Sequence, residues 1–160
     1  PGGGEAGVYS SGRVRELLQH GKPAEAAELL GRPWSVQGRV RSGDKIGREL
    51  GVPTANLALD GYLRPALGIY AARIEILSGA GAGKTFDGTA YVGSRPTFGK
   101  TDIVLETNLF DFSGDLYETE ICVSFIEFLR YDRKFDNAEA LKAQMLEDEN
   151  RARSVLGDRV

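Results

Sequence analysis

Cysteine, histidine, tryptophan and methionine each occur once in this 160-residue chain, and their scarcity excludes several kinds of site. A single cysteine, Cys122, cannot form an intrachain disulfide or a cysteine-rich zinc site. It lies in the apolar run ICVSFIEFL, so we expect a buried, inert thiol. A single histidine, His20, argues against histidine-based triads and multi-histidine metal sites, and it stands where a helix should end. Any chemistry must therefore depend on Glu, Asp, Thr, Asn, Lys and Arg.

The chain also lacks a basic excess and a long apolar run. Its formal net charge of −3 gives no overall attraction to nucleic acid or to an anionic membrane. No apolar run approaches the roughly 20 residues that span a bilayer, and the first residues show no signal-peptide pattern. We therefore predict a cytoplasmic protein with no nucleic-acid or membrane partner, large enough for one domain and a small appendage.

One glycine-rich stretch, SGAGAGKT at residues 78–85, has some features of a phosphate-binding P-loop. The P-loop pattern G-x-x-x-x-G-K-[ST] requires glycine at the position of Ser78, counting back from Gly83. The residues before it, GIYAARIEIL, and after it, FDGTAYVG, have the composition of strands and no helical period. We interpret the stretch as a hairpin loop, so any phosphate site must lie elsewhere.

The remaining sequence contains two short helices, a strand-rich middle and a final helix. Residues 11–20 and 23–30 have helical patterns, and Pro23 fits the start of the second helix. Asp136 is the expected N-cap of the final helix, with Glu139 completing a capping box. Strand patterns without intervening helices predict an antiparallel sandwich or barrel. They occupy residues 34–43, 68–77, 85–94, 103–112 and 117–129.

The segment GDKIGRELGVPTANL, residues 43–57, is the first candidate site. Its glycines recur at every fourth residue, at Gly43, Gly47 and Gly51. Each would cost about 1 kcal/mol inside a helix, so we predict a loop whose backbone approaches a ligand closely. Exposed amides of this kind can bind an anion, and Lys45 adds local positive charge.

Thr54 and Asn56, which follow Pro53, form a second feature of this segment. In an extended chain, residues two apart point to the same side, so a hydroxyl and an amide oxygen would lie together. Both are neutral oxygen donors of the type that Mg²⁺ accepts beside substrate phosphates. A purely structural role in a turn explains the same spacing equally well.

Glu106 is the third feature, because it interrupts an apolar strand, VLETNLF. A carboxylate among apolar residues is costly unless it is paired or used. Val104 and Asn108 share its face by alternation, so this face is partly polar, as the lining of a pocket would be. A glutamate on an edge strand that faces water is the alternative.

These segments together resemble the riboflavin kinase family. The run from Gly43 to Asn56 is similar to the family's phosphate loop and its PTAN signature. The resemblance covers about residues 31–156. Further matching segments follow in the family's order: RPW at 32–34, VGSRPTF at 92–98, LETN at 105–108, DLY at 115–117, and LR and KFD within 129–136.

The resemblance implies a fold and an activity. The implied fold is mainly β, a six-stranded antiparallel Greek-key barrel with a C-terminal α-helix, here preceded by two short N-terminal helices. The implied reaction transfers the γ-phosphoryl group of ATP to the ribityl 5′-hydroxyl of riboflavin, giving FMN and ADP. A non-catalytic flavin- or nucleotide-binding barrel within a larger FAD-synthesising enzyme is the alternative.

The resemblance also implies roles for particular residues. Glu106 would be catalytic, accepting or orienting the proton of the ribityl hydroxyl. Thr54 and Asn56 would bind Mg²⁺, and Arg130 would contact the flavin. The residues implied for ATP and its phosphates are Gly43, Lys45, Gly47, Gly51, Pro53, Thr54 and Tyr117.

The N-terminal part carries a separate resemblance. SSGRVR, residues 10–15, is similar to the tail of the adenylyltransferase module in bacterial bifunctional FAD synthetases, although Gly12 replaces the usual hydroxyl residue. We therefore expect residues 1–31 to be a flexible start and a helical remnant or linker from that module. Residues 32–160 would be the kinase barrel with its C-terminal helix. The expected chain is a C-terminal piece of a longer bifunctional enzyme, itself without adenylyltransferase activity.

Overall fold

The computed structural model describes residues 12–41, 54–59, 65–97, 100–112, 116 and 118–157, with only the backbone described at 54, 58, 95–97 and 100–102. The helices within these residues are α1 (12–19), α2 (Pro23–Leu30) and α3 (Ala138–Gly157). The strands are β1 (Trp34–Arg39), β2 (Thr54–Ala58), β3 (Gly68–Ile76), β4 (Thr85–Thr97), β5 (Lys100–Leu109) and β6 (Glu120–Tyr131).

The six strands form one antiparallel sheet in the order β1–β6–β3–β4–β5–β2. β1 and β2, which are neighbours in sequence, therefore lie at opposite edges. The two edges meet just beyond β1, where the Arg41 N–H donates to the Asn56 carbonyl oxygen over 2.9 Å. The sheet thus curls back on itself, and the predicted six-stranded antiparallel fold with its C-terminal helix is confirmed.

The two faces of the sheet pack against different partners. Alternation places one set of apolar side chains inside the curled sheet, among them the fully buried Tyr70 on β3 and Phe125 on β6. The outer face of β3, β4 and β6 is covered by α3. There, Ile69 and Ala71 lie in a second apolar cluster with Ala152 of α3. The helix therefore covers only part of the outer face.

The glycine-rich stretch is the loop of a β-hairpin between β3 and β4, as predicted. The Ile76 N–H donates to the Lys84 carbonyl, and the Gly83 N–H donates to the Ile76 carbonyl. Gly79 and Gly83 have positive φ values of 81° and 93°, which glycine adopts at little cost. A strand rather than a helix follows the loop, so it lacks the helix N-terminus that a P-loop requires.

The two N-terminal helices pack on the sheet. Val14, Leu17, Leu18 and Ala26 are buried together, with Trp34 of β1 packed against them. α1 ends as predicted at His20, whose Nδ1 donates to the Glu16 carbonyl over 2.8 Å. α2 begins with Pro23 and ends at Gly31, which has a left-handed φ of 78°.

Two local expectations are wrong. The cap of α3 is Asn137 rather than Asp136, because the Asn137 Oδ1 accepts the Ala140 N–H over 2.8 Å. Cys122 is half-buried rather than buried, because it lies on the outer face of β6 between the core residues Ile121 and Val123. The apolar run around it conceals this alternation in the sequence.

Candidate active site

Glu106 lies in the middle of β5 on the outer face of the sheet. Its neighbours Leu105 and Thr107 point into the core and are fully buried. Glu106 itself is half-buried, as are Val104 and Asn108 on the same face. The predicted alternation is therefore confirmed. It places the carboxylate at the surface of the sheet, where a ligand can reach it.

The strand register brings three predicted site residues into one row across the outer face. Glu106 is directly opposite Asn56 of β2 on one side and Tyr91 of β4 on the other. The row continues through Ile69 of β3, opposite Tyr91, to Arg130 of β6, opposite Ile69. Neighbouring strands are about 4.8 Å apart, so the row is about 19 Å long when it is followed along the curled sheet, with Glu106 one strand from Asn56 and three strands from Arg130.

The side-chain oxygen of Asn56 has the character of a metal ligand. Its Oδ1 atom is buried and accepts no hydrogen bond in the part of the chain that the structure describes. A buried amide oxygen is costly without a partner. A cation with a preference for oxygen ligands would satisfy it, so this atom fits Mg²⁺.

Arg130, at the other end of the row, is held by an ion pair with α3. Its Nε and Nη2 atoms donate to the two carboxylate oxygens of Asp148 over 2.9 and 2.8 Å. The Asp148 Oδ1 also accepts the Gln144 Nε2 hydrogen over 3.0 Å. Asp148 is buried, with only 3% of its surface exposed. This geometry fixes the guanidinium plane of Arg130 at the edge of α3.

Tyr91 lies between Glu106 and Arg130 and makes a polar contact of its own. Its hydroxyl donates to the Asp132 Oδ2 over 3.0 Å. Burial is the main cause that raises the pKa of Tyr91 to about 12. The hydrogen bond to Asp132 and the negative charges of Asp132 and Glu106 contribute to this rise in pKa, while Arg130 opposes it. The phenol is therefore protonated at neutral pH.

A cavity of about 510 Å³ opens at the end of the sheet near the β3–β4 hairpin. β1 ends at the same end of the sheet. Val40, which follows β1, donates its N–H to the carbonyl of Thr119, a residue of the cavity lining. Thr54 is nearer to this end than Asn56, because it pairs with Asn108. The apolar part of the lining includes Ile76, Phe86, Phe112 and Leu116.

Several predicted site residues lie outside the described part of the chain. They include the whole glycine-rich loop predicted to bind phosphates. For Thr54 the description covers the backbone, which opens β2. Those beyond the described residues are Gly43, Lys45, Gly47, Gly51, Pro53 and Tyr117.

Sequence reasoning missed Tyr91 and Asp148. Tyr91 was visible only as one strand residue, and its place beside Glu106 depends on pairing between β4 and β5. Asp148 stands in the charged segment EDENR, which interrupts the apolar pattern of α3 in the sequence. It lies three residues after Met145 and four before Ala152, and this helical spacing was the available signal.

No group of three or more His, Cys, Asp or Glu side chains that could hold a metal occurs among the described residues. A cation near Asn56 would thus depend on neutral oxygens and on phosphates supplied by a substrate, an arrangement that Mg²⁺ commonly adopts. In the same described part of the chain, no helix is both long and apolar enough to cross a membrane.

Comparison with known proteins identifies the family. The family model described as "Flavokinase: Riboflavin kinase" matches residues 30–156. The bifunctional riboflavin kinase/FMN adenylyltransferase of Escherichia coli (strain K12) is 40% identical over 154 residues, which are 96% of this chain and 48% of that protein. The chain spans about half the length of the curated relatives it matches.

Two solved structures resemble the chain. One, named as a macrolide-efflux protein from Streptococcus pneumoniae, has a TM-score of 0.81 and 35% identity, covering 89% of this chain and 46% of that one. Riboflavin kinase from Trypanosoma brucei has a TM-score of 0.55 and 21% identity, covering 78% and 80%, and supports the fold alone. By the match of its family model and the identity to its curated relatives, the chain belongs to the riboflavin kinase family.

Proposed function

We propose that this chain is an ATP-dependent riboflavin kinase that forms FMN and ADP from riboflavin and ATP. Its family supports the reaction class. The observation that carries the proposal for the site is the pairing of Glu106 with Asn56 on adjacent strands. This pairing places the two side chains about 5 Å apart at their Cβ atoms on the outer face of the sheet. The Asn56 Oδ1 accepts no hydrogen bond from the described residues.

Glu106 acts on the acceptor alcohol in this proposal. Its carboxylate accepts, or at least orients, the proton of the ribityl 5′-hydroxyl as the oxygen attacks the γ-phosphorus. A carboxylate is a weak base towards an alcohol. It suffices when the proton moves late, in the loose transition state typical of phosphoryl transfer. Positioning and charge neutralisation then supply most of the catalysis.

Thr54 and Asn56 hold the Mg²⁺ ion in the proposed site, beside the phosphates of ATP. When bound, the ion neutralises charge that develops on the phosphates. Asn56 supports this role through its buried Oδ1, whereas the role of Thr54 rests on the sequence match. The loop residues Gly43, Lys45, Gly47, Gly51 and Pro53 bind the phosphates in the same proposal.

The two substrates approach Glu106 from opposite directions. ATP lies towards the end of the sheet where the cavity opens. The aromatic and aliphatic lining of the cavity suits a purine base. Leu116 belongs to this lining and directly precedes Tyr117, which is predicted to bind ATP. Riboflavin approaches from the other side of Glu106, and Arg130 contacts its ring system in the same proposal. The reacting hydroxyl and the γ-phosphate then meet beside Glu106.

The relatives suggest a wider context for the chain. They are bifunctional, and the part they share with this chain is about half their length. We propose that an adenylyltransferase module precedes the kinase barrel in the full protein, with residues 1–31 as the connection and residues 32–160 as the kinase domain. We further propose a cytoplasmic location, with riboflavin, FMN, ATP and ADP as the small-molecule partners.

The test is a turnover assay with the purified protein, riboflavin, ATP and Mg²⁺. We expect FMN and ADP in equal amounts, with no product when Mg²⁺ is removed by a chelator. A non-catalytic flavin-binding barrel would quench riboflavin fluorescence on binding but release no ADP. Binding of riboflavin without ADP release would refute the kinase proposal in favour of that alternative.

A further inference from the structure

Four outer-face positions of β2 and β5 form a compact rectangle. Thr54 is directly opposite Asn108, and Asn56 is directly opposite Glu106. Opposite residues are about 5 Å apart at their Cβ atoms, and residues two apart along a strand are about 7 Å apart. We call these four residues the polar quartet. Three of them have roles in the proposed reaction, whereas Asn108 has none.

The side chain of Asn108 is accessible to a ligand. It is half-buried on the outer face, while its neighbours Thr107 and Leu109 point into the sheet and are buried. Among the residues that the structure describes, its amide has no hydrogen-bond partner. A half-buried amide therefore gains a hydrogen bond when a polar ligand reaches it.

The backbone of Asn108 is held by strands on both sides. It pairs with Thr54 of β2 and with Thr89 of β4. β4 lies especially close at this point, because a Cβ atom at Gly88 would lie 2.2 Å from the Asn108 carbonyl oxygen. A residue in the middle of three paired strands presents its side chain from a rigid position, as a catalytic group requires.

The outer face is covered immediately beyond Asn108. Phe110, two residues further along, is only 4% exposed and lies in the apolar cluster that includes residues of α3. The guanidinium carbon of Arg153 lies 4.5 Å from the centre of its ring. The approach to the polar quartet that α3 leaves open at the cavity end is therefore on the side of β2, where Thr54 lies.

A phosphoryl group that is held beside Thr54 and Asn56 and attacked by an alcohol at Glu106 must lie over the middle of the polar quartet. In projection on the sheet, the middle is about 4 Å from each Cβ atom. An asparagine side chain with a hydrogen bond of about 2.9 Å covers this distance. We propose that Asn108 is a further catalytic residue, whose amide N–H donates to a non-bridging oxygen of the γ-phosphoryl group. This inference rests on the proposed function.

Asn108 acts in the transfer step without exchanging a proton. The oxygen of the ribityl 5′-hydroxyl forms a bond to the γ-phosphorus, and the bond from this phosphorus to the β–γ bridging oxygen breaks. The electron pair of the broken bond leaves with ADP, and the hydroxyl proton passes to Glu106. The Asn108 hydrogen bond keeps the phosphoryl group in line between the two oxygens and stabilises its negative charge. Asn108 should therefore contribute to kcat more than to substrate binding.

Asn108→Ala tests the inference, because it removes the amide and keeps the strand. We expect kcat for FMN formation to fall by a factor of roughly 10², as for the loss of one donor to a developing negative charge. The KM values for riboflavin and for ATP should change far less, because both substrates keep their other contacts. An unchanged kcat would overturn the inference, as would a rise in both KM values at constant kcat. Absence of FMN formation by the wild type would instead overturn the proposed function.

Asn108→Asp separates this role from a merely structural one. It keeps the size and shape of the side chain but replaces the donating amide with a negative charge. We expect kcat to fall further than in Asn108→Ala, because the carboxylate repels the phosphates. Support of the strand alone predicts the opposite order, since Asp preserves the packing better than Ala. A higher kcat for Asn108→Asp than for Asn108→Ala would thus contradict the inference.

Thr89→Val is the matched control. Thr89 is directly opposite Asn108 on β4, is also half-buried, and lies outside the polar quartet. The substitution keeps the shape of the side chain and removes its hydroxyl, so we expect a normal kcat. A loss of kcat equal to that of Asn108→Ala would show that any polar group on this part of the sheet has the same effect, and it would overturn the assignment of Asn108.

Discussion

The two faces of β5 give neighbouring residues opposite environments. Leu105 and Thr107 are fully buried inside the curled sheet, while Glu106 and Asn108 are half-buried on the outside. Even the buried hydroxyl of Thr107 is satisfied internally, because it donates to the Ala55 carbonyl over 3.3 Å. The inner face therefore completes its own interactions, whereas the Oδ1 of Asn56, opposite Glu106 on the outer face, accepts no hydrogen bond from the residues that the structure describes.

This difference shows how one strand serves stability and chemistry together. The inner face needs only apolar side chains of suitable volume, which many sequences could supply. The outer face needs particular polar groups at particular register positions, because a substrate must meet all of them at once. Substitutions on the two faces should thus have separable effects.

The substitution with the largest expected effect on stability lies in the part of the outer face that α3 covers. Asp148→Ala leaves Arg130 buried without its carboxylate and should reduce the free energy of unfolding by roughly 3–5 kcal/mol. Asp111→Ala is the matched control, because Asp111 pairs with Arg153 in a fully exposed position where the charges are screened. Urea denaturation of both variants checks this. Equal losses would show that burial of the pair does not matter.

The next effect compares adjacent residues on β5. Leu105→Ala opens a cavity in the core and should cost roughly 2–5 kcal/mol of unfolding free energy. Glu106→Ala should cost clearly less, because its side chain is only half-buried. The midpoint and slope of urea unfolding measure both. A larger loss for Glu106→Ala would contradict the division of roles between the faces.

Asn56→Ala should affect ligand binding more than stability. We expect the affinity for Mg²⁺ and ATP together to fall about tenfold, since one oxygen ligand of the cation is lost. The unfolding free energy should not fall, because the substitution also removes a buried oxygen that has no partner in the described part of the chain. Calorimetric titration checks the affinity, and an unchanged affinity for riboflavin is the internal control. Unchanged affinity for the nucleotide would remove Asn56 from the metal site.

The smallest effect concerns alkaline pH. Burial is the main cause of a raised pKa at two tyrosines. It raises the pKa of Tyr70, inside the sheet. It also raises the pKa of Tyr91, on the outer face, to about 12. The folded protein then keeps protons that the unfolded chain loses near pH 10. The stabilisation is fully present below pH 10 and should be lost as the pH rises from 10 towards 12. Tyr91→Phe should flatten this decline in urea midpoints, and an unaltered decline would contradict the assigned pKa.

Local sequence patterns were sufficient for most elements of the fold. Alternation and turn residues located five of the six strands, whereas β2 was predicted only as an extended segment around Thr54 and Asn56. Pro23 and Gly31 marked the limits of α2. The same patterns singled out Glu106, whose charge stands out in an apolar strand, and its catalytic role remains a prediction. The cap of α3 was misplaced by one residue, because Asp136 and Asn137 are both good caps and only the backbone geometry decides between them.

Pairings between distant residues could not be predicted in the same way. The row joins residues from Asn56 to Arg130, and its register depends on five strands assembling together. Asp148 looks like a surface charge until Arg130 is placed beside it. Family resemblance named Asn56, Glu106 and Arg130, but the sequence alone did not indicate that they share one row.

The most direct test is the rate of FMN formation by Glu106→Gln when riboflavin, ATP and Mg²⁺ are all saturating. Glu75→Gln, an exposed glutamate on the outer face near the far end of β3, is the matched control. We predict a rate for Glu106→Gln lower by a factor of roughly 10² to 10⁴, with both substrates still bound, and a normal rate for the control. A near-normal rate for Glu106→Gln would contradict the assignment of phosphoryl transfer to the outer row.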